Sequence, residues 1–423
     1  MKVCVGVDIM TIFFLLAGLA VYGFYGLSGL AFLAALTAGS YLAGRLIPRF
    51  RWVLWAFLAF CVGWLAFIRL EPITHLSLLA PLGISYFSLK IISYLCDVYR
   101  GKYAPAADFF HYALYVTWLP GIFLGPIERY DRFAPPKAPF SWENFSTGGV
   151  RILWGLFKKL VIAARAGVVV GAISAGPEEY RGAYVLLALL LYSVQLYADF
   201  SGGIDMVLGL SQMLGVRLCE NFDRPYFSQS VAEFWRRWHM SLGAFLRDYV
   251  YIPLGGSRKG KLRKLLNTVL TFLVSGLWHG VHYLLWGVVS GLLVWVGDRL
   301  KTPIKLLNQI FTFLLITLLW AFFVWPDTGT ALTMLGSLTT LNYGNLIQNF
   351  LNLGLNVGEW VVLVMSTCVL WVCDGFLPKL RTAYASATPA KRTAVCCALG
   401  LVVLVFGMYG LGFNAGDFIY SRF

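Results

Sequence analysis

Read as blocks of apolar and polar positions, the chain is apolar over most of its length. Continuous apolar segments recur near residues 9–24, 28–46, 52–68, 76–96, 109–127, 150–173, 183–198, 204–216, 264–298, 305–325, 357–377 and 394–413. Many reach the roughly 17–25 residues that carry an α-helix across a bilayer. They are continuous, unlike the short alternating strands of a transmembrane barrel. The pattern predicts an all-α, polytopic transmembrane helical protein with roughly ten to twelve membrane elements, some re-entrant or interfacial. The 264–298 segment is long enough to hold two elements with a bend. No polar block approaches domain size, so residues 1–423 read as a single transmembrane domain.

Two polar interruptions break the pattern. "GPIERYDRFAPPKAPFSWENF", residues 125–145, mixes prolines with both charges and predicts an interfacial loop. Residues 220–261 are the most polar part of the central chain. There Pro225 predicts extended backbone at Arg224. Ser230 and Glu233 have capping-box spacing, which predicts a helix start. Phe234, Trp235, Trp238, Leu242, Phe245, Leu246 and Tyr249 then recur on one helical face. The spacing predicts one amphipathic helix, ended by Pro253 and Gly255-Gly256, with His239 at the border of its apolar stripe. In "YADFSGGIDMVLG", residues 197–209, Gly202-Gly203 predicts a break or kink. Asp199 and Asp205 on either side are expected to pair with an arginine or to orient a histidine.

Composition agrees with a membrane protein. Hydrophobic residues make up 59% of the chain and charged residues 13%, whereas soluble domains carry about 25% charged residues. The net charge of +14 falls in clusters between apolar segments, such as "RLIPRFR" (45–51) and "SRKGKLRK" (257–264). That arrangement fits positive-inside topology and anionic headgroups, and no nucleic-acid recognition motif accompanies it. The eight cysteines form no CxxC pair and read as small buried hydrophobes. The first apolar segment follows Lys2 and reads as a first span, not a cleaved signal.

The candidate chemistry centres on "SGLWHGVHYLLWG", residues 275–287. His279 stands inside an apolar run, with His282 three residues later. A buried histidine has a structural reading, a core side chain satisfied by a hydrogen bond. It also has a functional one, since ionisable groups within spans usually face a cavity or pathway. A neutral imidazole takes a proton from a hydroxyl near pH 7 and suits general-base work. A metal site is not expected: the five histidines are His75, His111, His239, His279 and His282, with no HExxH pattern. His282 reads as a packing or hydrogen-bonding partner. His239 sits among two tryptophans and two arginines. Arg236 and Arg237 suit either headgroups or the phosphates of an acyl donor. GxSxG and P-loop motifs are absent, which leaves direct transfer activated by a base as the expected enzyme chemistry.

Several blocks together resemble the membrane-bound O-acyltransferase (MBOAT) family. They are "LGISYFSLKIISYLCDVYRG", "GPIERYDRF", "DFSGGIDMVLGLSQMLGV", "NFDRPYFSQSVAEFWRRWHMSLGAFLRDYVYIPLGG" and "SGLWHG", with "FIYSRF" at the C-terminus. The motif-bearing core runs from about residue 80 to 290. Two bacterial branches are similar, the alginate O-acetyltransferase membrane subunit and the D-alanyl transfer protein of teichoic acid modification. "RDYVYIPLGGSRKG" favours the first.

The resemblance implies a ring of helices around a thin centre, in a multi-pass protein of the bacterial inner membrane. It implies an acyltransferase that passes an acyl group, acetyl by preference, from a cytoplasmic thioester donor to an extracytoplasmic hydroxyl. The donor would be acetyl-CoA or an acyl carrier protein, acting as co-substrate with no permanently bound cofactor. An extracytoplasmic partner protein would complete the transfer. His279 and His239 are the implied catalytic residues. Trp235, Arg236, Arg237, Trp238, Trp278, Asp199 and Asn221 are the substrate-binding candidates. A proton-coupled transporter using His279 and Asp199 is the reading from another class. It calls for paired broken helices in two similar halves, and no such repeat is visible.

Overall fold

The computed structural model describes residues 9–71, 80–136, 141–297, 299, 301–340 and 349–409. The C-terminal "FIYSRF" and His75 lie outside the described residues. Among the described residues every regular element is helical. In chain order these are α1 (Ile9–Gly23), α2 (Leu27–Leu46), α3 (Trp52–Arg69), α4 (Ile84–Tyr99), α5 (Phe109–Thr117), α6 (Trp142–Leu156), α7 (Ala164–Ala175) and α8 (Ala183–Met213). They continue as α9 (Val231–Arg237), α10 (Met240–Leu246), α11 (Gly260–His279), α12 (Leu284–Gly297), α13 (Lys305–Leu319), α14 (Ala321–Val324), α15 (Thr328–Ser337), α16 (Val357–Ala385) and α17 (Pro389–Phe406). Long apolar helices able to cross a membrane are α2, α3, α8, α13 continued by α14, α16 and α17. The expected bend inside 264–298 is present as a 3₁₀ turn, Val281–Tyr283, between α11 and α12.

Burial is concentrated in two hydrophobic clusters. One joins α6 to α9 with residues of α12 to α17. The other joins α1 to α5 with α10. By contrast α3 and α17 bury few of their side chains in the protein. Their outward apolar faces need a lipid solvent.

Three expectations are corrected. Gly202-Gly203 does not break its helix: α8 runs unbroken for 31 residues. The glycines serve close packing instead. A Cβ on Gly202 would stand 2.8 Å from the Gly155 carbonyl oxygen, and one on Gly209 would stand 2.5 Å from that of Gly148. With no side chains between them, α6 and α8 lie backbone against backbone. Ion pairs lock the same seam: Arg151–Asp205 at 2.9 Å, Lys158–Asp205 at 2.5 Å and Lys159–Asp199 at 2.7 Å. Lys158 and Lys159 lie on a π-helical stretch, Phe157–Ala163, that links α6 to α7.

The second correction concerns residues 125–133. They are non-helical, as expected, yet part of this stretch is packed inside the protein and not laid on the interface. Ile127, Glu128 and Arg129 are buried. The Glu128 carboxylate accepts the Cys219 N–H at 2.7 Å, and Ser241 Oγ accepts the Ile127 N–H at 3.0 Å. Irregular backbone is tolerated at this depth because protein groups satisfy it. The third correction is at Arg224, which is left-handed (φ 48°, ψ 58°) and not extended. The 3₁₀ turn Pro225–Phe227 starts there, and Asp223 N–H is tied to the Arg237 carbonyl at 3.0 Å.

The glycine seam is testable. Gly155→Ala places a Cβ 2.5 Å from the Gly202 oxygen, and overpacking of this kind costs about 1–3 kcal/mol. Its thermal midpoint in detergent should fall well below that of the wild type. Gly149→Ala, which meets nothing within 4 Å, should leave the midpoint unchanged or raised.

Candidate active site

The site begins with a break in the predicted amphipathic helix. The start is as expected: Ser230 Oγ accepts the Glu233 N–H at 3.2 Å. The Glu233 carboxylate reaches one residue further back than a capping box requires and accepts the Gln229 N–H at 2.9 Å. The single helix expected over this region is two short ones. After α9, Trp238 turns extended and His239 adopts φ 45°, ψ 54°. Left-handed backbone is costly for a residue with a side chain and persists only where its surroundings enforce it.

Asn221 supplies that enforcement. Its carbonyl accepts the Met240 N–H at 2.9 Å. Its side-chain Oδ1 accepts the Ser241 N–H at 2.9 Å and lies 3.4 Å from His239 Nδ1. Because Oδ1 already receives a backbone N–H, it acts as an acceptor. The long contact therefore favours a proton on Nδ1, leaving the lone pair on Nε2. Asn221 is fully buried. The break also straddles the two hydrophobic clusters: Phe234 and Trp238 belong to one, Leu242 and Phe245 to the other.

The second histidine is placed by a helix end. His279 is the last residue of α11, and Gly280 follows at φ 144°, ψ 165°. Only glycine occupies that region readily. The chain then doubles back tightly, since a Cβ on Gly276 would stand 2.5 Å from the Tyr283 carbonyl oxygen.

Both histidines line one cavity of about 790 Å³. Around His279 the neighbouring side chains are aromatic. Trp286, Phe323 and Tyr283 have ring centroids 5.8, 5.6 and 6.0 Å from the imidazole. Trp278 bridges the histidines, 4.7 Å from His279 and 6.2 Å from His239. The cavity wall also carries Arg236, Arg247, Lys261, Lys264 and Arg299, and among the described residues its lining contains no carboxylate. Along α11 the lining residues follow helical spacing: Lys261, Lys264, Thr268, Thr271, Ser275, His279. Fifteen residues separate Lys264 from His279, which at 1.5 Å per residue is about 22 Å. One face of one helix thus grades from cations through hydroxyls to an imidazole.

The sequence profile of MBOAT, the membrane-bound O-acyltransferase family, matches residues 99–368. This span holds both histidines and the whole lining of the cavity. The chain belongs to the MBOAT family. It is 36% identical over 401 residues to the "Probable alginate O-acetylase AlgI" of Pseudomonas fluorescens, covering 90% of this chain and 81% of that protein. It is 33% identical over 308 residues to the peptidoglycan O-acetyltransferase of Helicobacter pylori, covering 63% and 58%. To the teichoic acid D-alanyltransferase of Streptococcus thermophilus it is 27% identical over 281 residues, covering 61% and 67%. The protein is accordingly a multi-pass membrane O-acyltransferase.

In this MBOAT chain the other candidates named from sequence fall into two groups. Trp235, Arg236 and Trp238 line the cavity with the histidines, and Trp278 packs on both rings. Outside the wall, Asn221 stands behind His239. Arg237 is paired with Glu233 at 2.7 Å and Asp199 with Lys159 at 2.7 Å. His282 faces outward, and its backbone carbonyl accepts the Thr328 hydroxyl at 3.2 Å. The residues not anticipated are Lys261, Lys264, Thr268, Thr271 and Ser275 on α11, with Trp286, Trp320 and Phe323 opposite. The α11 stripe was readable in principle, because its spacing runs back from His279 in steps of three and four.

Two substitutions test how the histidines are held. Asn221→Ala removes the acceptor of a buried N–H, at a cost of about 1–3 kcal/mol. Thermal unfolding in detergent should show that loss. Gly280→Ala strains the backbone next to His279 by about 1–3 kcal/mol. It should depress acyl transfer more than the conservative Ser290→Ala, which lies on α12 away from the cavity lining.

Proposed function

We propose that this MBOAT protein moves an acetyl group from a cytoplasmic thioester to a hydroxyl on an extracytoplasmic polysaccharide or partner protein. The observation that carries the reading is the cavity itself, with two histidines and five cations in its wall. A thioester donor with phosphates on its carrier fits that distribution of charge. Acetyl-CoA and an acyl carrier protein both qualify, and neither is a permanently bound cofactor. Acetyl is preferred over D-alanyl because the O-acetylating relatives share higher identity with this chain.

Orientation follows from charge. Lys261 and Lys264 open α11, and Arg49 and Arg51 precede α3, which packs beside α11. The last residue of α3, Arg69, acts electrostatically on His279 at the end of α11. The two helices therefore run the same way, with their basic ends together. The positive-inside tendency puts those ends in the cytoplasm of a bacterial inner membrane.

In the proposed step His279 accepts the proton of the acceptor hydroxyl as its oxygen attacks the thioester carbonyl. The new C–O bond forms, the C–S bond breaks, and the imidazolium returns the proton to the leaving thiolate. His239, with its lone pair on Nε2, orients donor or acceptor. The indole and phenyl walls exclude water, which would otherwise hydrolyse the donor.

Transfer of a labelled acetyl group to cell-envelope polymer tests the reading. His279→Ala should lower it by about 10²–10⁴-fold, the usual worth of a general base, with membrane insertion unchanged. Transfer at the wild-type rate would overturn the assignment. Lys261→Gln with Lys264→Gln should raise the KM for the donor and make it less dependent on salt, leaving the acceptor KM unchanged.

A further inference from the structure

Beyond the cavity, a second polar cluster lies close to the imidazole of His279, and the transfer step proposed above uses none of its side chains. It forms where α3 ends, α4 begins and the Val281–Tyr283 turn follows α11. Arg69 closes α3, and its guanidinium donates to Ser85 Oγ at 2.9 Å. Its charge acts on Tyr86, Tyr283 and His279. The Tyr86 side chain is 6% exposed, and its hydroxyl is buried with no hydrogen-bond partner. The Tyr86 ring stands 6.2 Å from Trp278, the indole that packs on both histidines.

Arg69, Ser85, Tyr86 and Tyr283 do not line the 790 Å³ cavity. They sit at the His279 end of α11, away from Lys261 and Lys264. Among the described residues no carboxylate pairs with Arg69, whereas Arg129, Arg151 and Arg237 each have one. Arg69 is half-buried, and the planar fork of a guanidinium favours carboxylate and phosphate oxygens. A buried tyrosine hydroxyl with nothing to bond is likewise normally satisfied by a ligand or water.

We infer that Arg69, supported by Ser85, Tyr86 and Tyr283, is an acceptor-side subsite that binds a carboxylate or phosphate carried by the acceptor near the hydroxyl to be acylated. The inference rests on the transfer reaction proposed above. It adds that the acceptor is an anionic polymer, recognised by its charge before its hydroxyl reaches His279.

Binding tests this without needing a donor. The full-length protein in detergent is titrated with three oligomers of equal length: an oligouronate, an oligo(glycerol phosphate) and a neutral oligoglucose. The wild type should bind one of the anionic oligomers at least about tenfold more tightly than the neutral one, the scale of a hydrogen bond to a charged group. Which anion wins identifies the source of the charge. Arg69→Gln should abolish the preference and Arg69→Lys should keep part of it. Tyr86→Phe, which removes one hydroxyl, should weaken the favoured anion by about fivefold and serves if Arg69→Gln does not fold. Equal binding of all three, or a preference that survives both Arg69→Gln and Tyr86→Phe, overturns the subsite. Acetyl transfer by wild type against His279→Ala is scored separately, so failure of the reaction and failure of the subsite are distinct results.

Discussion

Satisfying the backbone where the helix breaks is the constraint on which the rest of this structure depends. A chain that places non-helical backbone in its interior must give each freed N–H and C=O a partner. Here one residue, through its backbone carbonyl and its side chain, meets much of that demand. Asn221 accepts the N–H groups of Met240 and Ser241 and contacts the ring of His239. The left-handed histidine between α9 and α10 is held by these bonds and by the two hydrophobic clusters that grip the helices on either side. Because α9 packs in one cluster and α10 in the other, the break joins the halves of the protein. The imidazole sits at that junction, and its geometry is set by the same bonds that keep the halves together.

Much of this was legible from the chain, and the rest fails for identifiable reasons. Apolar length predicted the spanning helices, and Ser230 with Glu233 predicted the start of α9. His279 was identifiable as an ionisable group in an apolar run. The break at His239 was not, because Trp238 and Leu242 continue the helical periodicity across it. Periodicity reports which face is buried, and both short helices bury the same kind of face. The unbroken course of α8 was missed for the opposite reason. Gly202-Gly203 is a weak helix former, but the partner backbone of α6, which rewards glycine there, is some fifty residues away in sequence. Asp199 and Asp205 were expected beside an arginine or a histidine. The lysines that also meet them lie on a π-helical stretch that no spacing rule anticipates.

Two sets of charged groups in the protein are arranged differently. Those on the α6–α8 seam are neutralised in place, with Asp205 shared between Arg151 and Lys158. Pairs like these are weak sources of stability but good fixers of register. Among the described residues those that line the cavity are all cations, of which Arg247 also meets Asp248 at 2.9 Å. A field of one sign inside low-dielectric walls is concentrated and draws counter-charged molecules. The family relationship and the charge distribution thus support each other. A chain similar to enzymes named for O-acetylation presents basic side chains and an imidazole along one face of α11.

The glycine seam between α6 and α8 has a mechanical consequence. Two helices whose backbones touch at Gly148 against Gly209 and at Gly155 against Gly202 cannot slide or tilt without collision. Charged pairs at intermediate levels add a ratchet that would have to be broken to move. Such a pair behaves as one stiff beam, ill suited to the rocking that carries solutes in alternating-access machines. A frame of this kind holds its place while smaller elements around it adjust.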